Sequence, residues 1–288
     1  MHPAAADQTA PPSPEVSHQV RIRPPTRWGV NRLSDLWPYR ELVYFLAKRD
    51  VQVRYRQSVV GLGWVLLQPI ALMGIFTLVF SRFVGVGSEG IPYPVFALAG
   101  ITVWLFVAQA IGQTANSLVS EANLVSKVFF PRLIVPVARV LALLVDLVAV
   151  ALLLIVVSLI VQGVPGIAVL TLPLWLLMAG LFALGAGLLA ATLNVRYRDV
   201  GVVIPLVLQV GLFVTPVAYP ASLVTGVWQV LIALNPAASC ITGVRWALFG
   251  TEAPDAVALA VSIVVTIVLL TGATLYFTRS EQHFADVI

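Results

Sequence analysis

The feature that most constrains this chain is a series of apolar runs, each about as long as a bilayer is thick. A helix needs about 20 apolar residues to cross the hydrocarbon core. Runs of that order extend from Gly61 to Ser81, Tyr93 to about Asn116, Leu133 to about Gln162, Leu170 to Asn194, Val200 to Ala218 and Pro254 to Thr278. Polar or helix-breaking punctuation separates them. Arg82, Gly85, Gly87, Glu89, Gly90 and Pro92 form a short loop, and Gly163-Val164-Pro165-Gly166 breaks a helix. Composition carries the same message: 59% of the 288 residues are apolar and 10% charged. A soluble domain carries about 25% charged residues, so neither a soluble single domain nor a disordered chain is compatible with this sequence. The expected fold is an all-α membrane protein with six transmembrane helices.

Residues 219–250 do not fit a plain span. They are apolar but interrupted by Pro220, Gly226, Pro236 and Gly243. About 30 residues is too short for two crossings. The expectation is a re-entrant pair of short helices before the last span, shielded by protein or a water-filled cavity. The polar stretch Ser117 to Arg132 reads as a connecting segment.

Topology follows from the basic residues. With the N-terminus inside, the inner segments hold Arg21 through Arg56, Lys127, Arg132, Arg196, Arg198 and Arg279. The outer segments hold Arg82 and Arg245. The reverse orientation inverts this bias and is rejected. Six spans then place both termini in the cytoplasm, and the net charge of +4 reflects topology rather than a nucleic-acid surface. Residues 1–35 read as a disordered cytoplasmic arm, with a docking peptide as the functional alternative. The arm is proline-rich and lacks the apolar core of a cleavable signal. Residues 41–56 read as an imperfect amphipathic helix lying in the interface. Leu42, Phe45, Leu46 and Val53 share one face, and basic residues stand at the head groups.

Chemistry-bearing motifs are few. Neither lysine, Lys48 or Lys127, stands in a phosphate-binding P-loop. His2, His18 and His283 lie in the tails, and no His/Cys/carboxylate cluster has metal spacing. Cys240 has no second cysteine to pair with. A hydrolase or metalloenzyme finds no support. Arg139 and Asp146 stand seven residues apart on the third run, on one face and about 10 Å apart in rise. Arg139 can snorkel to the inner interface. Asp146 is deeper, and its readings remain open: a helix contact, a water path, or a pair with an arginine elsewhere. Tyr93, Trp104, Phe106, Tyr219, Trp228 and Trp246 read as an outer aromatic belt, or as a sugar-stacking surface, with Trp228 the better candidate for stacking. Ala179, Ala183, Gly187 and Ala191 form a small-residue stripe suited to close helix packing. Gln68 and Gln209 either bond across helices or face a hydrated channel.

Several ordered stretches carry a family resemblance. Arg49-Asp50-Val51-Gln52-Val53-Arg54-Tyr55-Arg56-Gln57-Ser58-Val59-Val60-Gly61-Leu62-Gly63-Trp64, running on to Leu67-Gln68-Pro69, resembles the start of the polysaccharide ABC-transporter permeases. These are the exporters of O-antigen, capsule and teichoic acid. Asn123-Leu124-Val125-Ser126-Lys127-Val128-Phe129-Phe130-Pro131-Arg132 resembles their coupling segment. Asn194-Val195-Arg196-Tyr197-Arg198-Asp199 and Thr215-Pro216-Val217-Ala218-Tyr219-Pro220 are similar to the flanks of their fifth span. Leu234-Asn235-Pro236, Gly243 through Gly250, and Phe284 through Ile288 extend the resemblance, which covers about residues 36–288.

The resemblance implies the membrane subunit of an ATP-driven exporter of a lipid-linked cell-surface polysaccharide, in a bacterial plasma membrane. The permease domain would be residues 36–288. It implies a second copy of the chain and an ABC ATPase subunit as partners, with ATP and Mg bound by that ATPase and no cofactor in this chain. Membrane lipids are expected partners and nucleic acid is not. By analogy the coupling segment 117–130 inserts into the ATPase, with Glu121, Asn123 and Lys127 as contact candidates. The first and fifth spans line the glycan path, with Trp64, Gln68, Gln209 and Phe213 as candidates. Tyr219, Trp228, Arg245 and Trp246 belong to the outer gate or aromatic belt, and Arg54 and Arg56 are candidates to attract a pyrophosphate lipid head. Which glycan is exported stays open, a galactan being one candidate. The rival readings are export of a drug or small lipid by the same architecture, a proton-coupled transporter using Asp146, and a membrane transferase.

Overall fold

A computed structural model describes residues 37–56, 61, 63–128, 130–163 and 165–287. The expected arm at 1–35 lies outside the described residues, as do Gln57 to Val60, Leu62, Phe129 and Ile288 of the family-like stretches. The described residues are helical throughout their regular structure. The helices are α1 (Arg40–Tyr55), α2 (Gly63–Phe76), α3 (Tyr93–Ser120), α4 (Ala122–Lys127), α5 (Ile134–Gln162), α6 (Leu172–Arg196), α7 (Val200–Val214), α8 (Val227–Ala233), α9 (Pro236–Phe249) and α10 (Ala256–Val287). Helix α2 continues as a π-helical stretch, Thr77–Val84, and a 3-10 turn, Ile167–Thr171, leads into α6.

Among the described residues five helical segments are long and apolar enough to span a bilayer: Gly63–Val84, Tyr93–Ser120, Ile134–Gln162, Ile167–Arg196 and Ala256–Glu281. They match five of the six expected runs, with ends shifted by a few residues. The fifth run departs from expectation. Helix α7 stops at Val214, and its 15 residues rise only about 22 Å, short of the ~30 Å core. The cause is Pro216. A residue before proline is pushed out of the α region, and Thr215 is extended at φ −79°, ψ 140°. The same chemistry makes the break between α8 and α9. Asn235 precedes Pro236, is extended, and accepts the Ala237 N–H on its side chain as an N-cap. The two helices meet at 79°, a bend that either a broken span or a re-entrant pair produces.

Two apolar cores sit at opposite ends of the bundle. One gathers Phe96, Ile101, Trp104, Leu147, Trp175 and Ile241 from α3, α5, α6 and α9. The other gathers Val43, Leu46, Leu118, Val125, Ile134, Val195, Phe277 and Phe284. The second core therefore joins α1 to the ends of α3, α6 and α10 and the start of α5, so both ends of the described chain lie at one end of the bundle. The Arg132 backbone N–H donates to Glu281 Oε1 at 2.9 Å, tying the start of α5 to the end of α10.

The small-residue stripe on α6 packs as its pattern predicts: Ala179, Ala183 and Ala191 are fully buried. At Gly187 an added Cβ would stand 2.6 Å from Thr114 Cβ, so only glycine lets α3 and α6 approach this closely. Three members of the expected aromatic belt pack inside the bundle. Tyr93, Trp104 and Phe106 are buried against neighbouring helices rather than turned outward. Helix α3 is the central helix, packed on α2, α5, α6, α7 and α9, so its rings fill interhelical space.

Candidate functional site

The apolar stripe of α1 is divided: Leu42 and Leu46 pack on the bundle, and Phe45 and Val53 are turned away from it. Phe45 and Val53 are 63% and 70% exposed, while Val43, Leu46 and Asp50 are buried. Charge pairing, rather than apolar periodicity, fixes its rotation. Asp50 Oδ2 lies 3.1 Å from Arg139 Nη1 on α5, and Asp50 Oδ1 accepts from Arg49 Nη2 at 3.1 Å. Glu121, at the break between α3 and α4, accepts from Arg139 Nη2 at 2.9 Å and pairs with Arg49. Two arginines and two carboxylates thus form a closed, charge-balanced ring linking α1, α4 and α5.

One turn further along α1 the polarity reverses. Arg54 pairs with Asp146 on α5 and donates from Nη2 to Gln113 Oε1 on α3 at 3.1 Å. The Tyr55 hydroxyl donates to the other Asp146 oxygen. Burial, and then this bond, push the Tyr55 phenol up to about 12. Helix α1 therefore presents an acid and then a base to α5, which presents a base and then an acid. Sliding α1 along α5 would set like charges together, so the register of the two helices is fixed electrostatically. Such pairs matter because breaking one leaves an uncompensated charge in low dielectric.

Beneath the Arg54–Asp146 pair lies a cavity of about 220 Å³, bounded by the end of α1 and by α2, α3 and α5. Trp64 and Gln68 of α2 and Thr102 and Gln109 of α3 share its wall with Asp146. An indole face beside amides, a hydroxyl and a carboxylate is suited to weak, multipoint contact with a hydroxylated ligand. Nothing in this set resembles a nucleophile with its base.

At the opposite end Arg245 organises the loop after α7. It is 1% exposed. Its guanidinium donates to the carbonyls of Pro216 at 3.0 Å, Val217 at 2.7 Å and Phe96 at 3.2 Å, and lies 3.4 Å from the Phe96 ring centroid. Pro216 and Val217 lie in the unwound backbone after α7 and Phe96 in the first turn of α3, so Arg245 ties that loop to α3. It is a buried staple. Tyr219 supports the same end by donating to the Val214 carbonyl at 2.9 Å. Trp228 is 68% exposed on α8, and Trp246 is half-buried.

The remaining residues singled out from sequence fall into separate places. Asn123 and Lys127 are exposed on α4, whereas Glu121 is held in the ion-pair ring. Trp64 and Gln68 share the cavity, but Gln209 and Phe213 face outward from α7. Within one chain α2 packs on α3 and α5 while α7 packs on α3 and α6, so these two pairs are not brought together. Arg54 is turned onto Asp146, and Arg56 is exposed. Asp146 meets an arginine elsewhere, one of the readings left open above. Arg139 joins the ring rather than snorkelling alone. Sequence reasoning passed over Arg49, Asp50, Tyr55 and Gln113. The signal was present in the adjacent Arg49-Asp50 pair, an acid set within a basic flank, where the positive-inside pattern alone has no need of one.

Comparison with known proteins agrees with this architecture. The model of the ABC-2 type transporter family matches residues 41–249. The chain is 29% identical over 262 residues to the O-antigen export system permease protein RfbA of Myxococcus xanthus, covering 90% of this chain and 100% of the relative. It is 25% and 24% identical over 250 residues to two proteins of the same description from Klebsiella pneumoniae, covering 86% of this chain and 95% of each relative.

Proposed function

The chain belongs to the ABC-2 type transporter family, and from that premise we propose that it is the multi-pass permease subunit of an ATP-driven exporter of a lipid-linked cell-surface polysaccharide. The observation that carries the substrate class is similarity along the whole length of a relative described as an O-antigen export permease. The chain has no P-loop of its own, which fits ATP hydrolysis by a separate ABC ATPase subunit that binds ATP and Mg.

Positive-inside bias puts the α1 end of the bundle in the cytoplasm. Helix α4 then presents Asn123 and Lys127 to the ATPase. The ion-pair ring ties the base of α4 to α1 and α5, giving a rigid route from the docking helix to the cavity. Helix α2 is the least buried of the five long spans, and α7 buries only Ile204. Two exposed apolar faces on one subunit support a homodimer in which α2 and α7 of both copies line a shared glycan path. Trp64, Gln68, Gln209 and Phe213 then face that path. Weak sites suit a threaded polymer, since tight ones would stall it. The exposed Arg56 is the remaining candidate to attract the anionic carrier head.

Depletion in the native cell tests this reading. A completed lipid-linked glycan should accumulate on the cytoplasmic side with synthesis intact. Unchanged glycan pools would overturn the polysaccharide assignment.

A further inference from the structure

Between α1 and α5 runs an open groove of about 750 Å³, on the side of α1 away from the ion-pair ring. Its two walls differ sharply in chemistry. One wall carries Trp37, in the turn before α1, and Arg40, Tyr44 and Lys48 of α1. Arg40 lies over the Trp37 ring at 5.5 Å, and Lys48 over the Tyr44 ring at 6.0 Å. The α5 wall is apolar, led by Leu141 and Val145. Every ionisable side chain other than tyrosine in the lining is basic, because α1 turns Asp50 to its other side.

The apolar wall continues past the groove. Leu141, Val145, Val148, Leu152 and Val156 recur at three- and four-residue spacing and are each 41–57% exposed. That stripe rises about 22 Å along α5, more than the ~15 Å that one leaflet contributes to the hydrocarbon core. Basic heads resting on aromatic rings at one end, with an apolar track leading away from them, match one kind of occupant: an amphiphile with an anionic head and a long acyl chain.

We propose that this groove is a binding site for an anionic phospholipid of the cytoplasmic leaflet. Its phosphate lies between Arg40 and Lys48, and one acyl chain follows the exposed stripe of α5. The inference rests on the orientation proposed above, with α1 at the cytoplasmic face, but not on the identity of the exported glycan. Two features separate the site from general attraction of the basic end to anionic membrane. The two bases act with a defined apolar track, and other exposed basic residues, such as Arg198 in the turn after α6, have no part in it.

Native mass spectrometry of the full-length protein tests this, after extraction and incubation with equal amounts of phosphatidylglycerol and phosphatidylcholine. The wild type should retain phosphatidylglycerol in preference. Each basic residue near an anionic head contributes about fivefold in affinity, so the Arg40→Gln/Lys48→Gln double variant should weaken that retention roughly thirtyfold. Arg198→Gln should retain it as the wild type does. Both substituted side chains of the double variant are exposed, and an unchanged circular dichroism spectrum would confirm that it folds. Equal retention by the wild type and the double variant would overturn the proposal, as would an equal loss in Arg198→Gln. A repeat with added polyprenyl pyrophosphate separates the two sources of anionic lipid. Displacement of phosphatidylglycerol by equimolar polyprenyl pyrophosphate in the wild type would assign the groove to the carrier lipid and also overturn it.

Discussion

At the residue scale, Asp146 decides how the apolar interior tolerates charge. It answers one arginine and one phenol from α1, and its side chain is only 12% exposed. Asp146→Asn removes the charge and leaves Arg54 uncompensated, which should destabilise the protein by about 3 kcal/mol. The loss should shrink when Arg54→Gln is added. A double-mutant cycle on thermal unfolding in detergent measures this, and simple additivity would show that the pair is not coupled. Tyr55 supplies a pH signature. Its phenol is raised from the ordinary value of 10.0 to about 12, first by burial and then by its bond to Asp146. A group raised on folding contributes stability that is whole below its unfolded value and is lost as pH climbs through the folded one. Wild-type stability should therefore fall between about pH 10 and 12 more steeply than that of Tyr55→Phe, as unfolding midpoints across that range would reveal.

At the scale of elements, the legible and illegible parts of the fold divide by the kind of force involved. Long apolar runs mark α2, α3, α5, α6 and α10 because burial in lipid acts on composition alone. The end of α7 was misjudged because Thr215 to Ala218 are apolar enough to continue a span, yet Pro216 forbids the helix that would carry them. The ion-pair ring that holds α1 was not legible because Arg49, Asp50, Glu121 and Arg139 are scattered over 91 residues and meet only in the folded chain. The small stripe on α6 was legible because close packing demands small side chains at a fixed period. Two element-level expectations follow. Asn235→Ala removes the N-cap of α9 and the bond from Asn235 Nδ2 to Thr215 Oγ1 at 2.8 Å. It should cost about 1 kcal/mol for the cap alone, seen as a lowered unfolding midpoint. Gly243→Val should be far more damaging. Even a Cβ at that position would run into the Trp175 ring, so α9 and α6 would be forced apart, and the yield of monodisperse protein should collapse.

At the scale of the whole molecule, the two ends of the bundle have different tasks. The α1 end concentrates charge and joins α4 to α1 and α5 through the ion-pair ring. The opposite end holds bent, proline-broken backbone fastened by Arg245. The cavity with Trp64 and Gln68 is lined by the Arg54–Asp146 pair, so breaking that pair alters its wall. The family and its multi-pass character were legible from the order of several short motifs, whereas the residues that share a site were legible only where the fold brings them together. The most direct test is reconstitution of the permease with its ATPase subunit in proteoliposomes carrying the lipid-linked glycan on the ATP-accessible face. Glycan should reach the opposite face only with ATP and both subunits, and Arg139→Glu should abolish translocation while ATP hydrolysis persists. Translocation without the ATPase, or driven by a proton gradient in its absence, would contradict ATP-driven export.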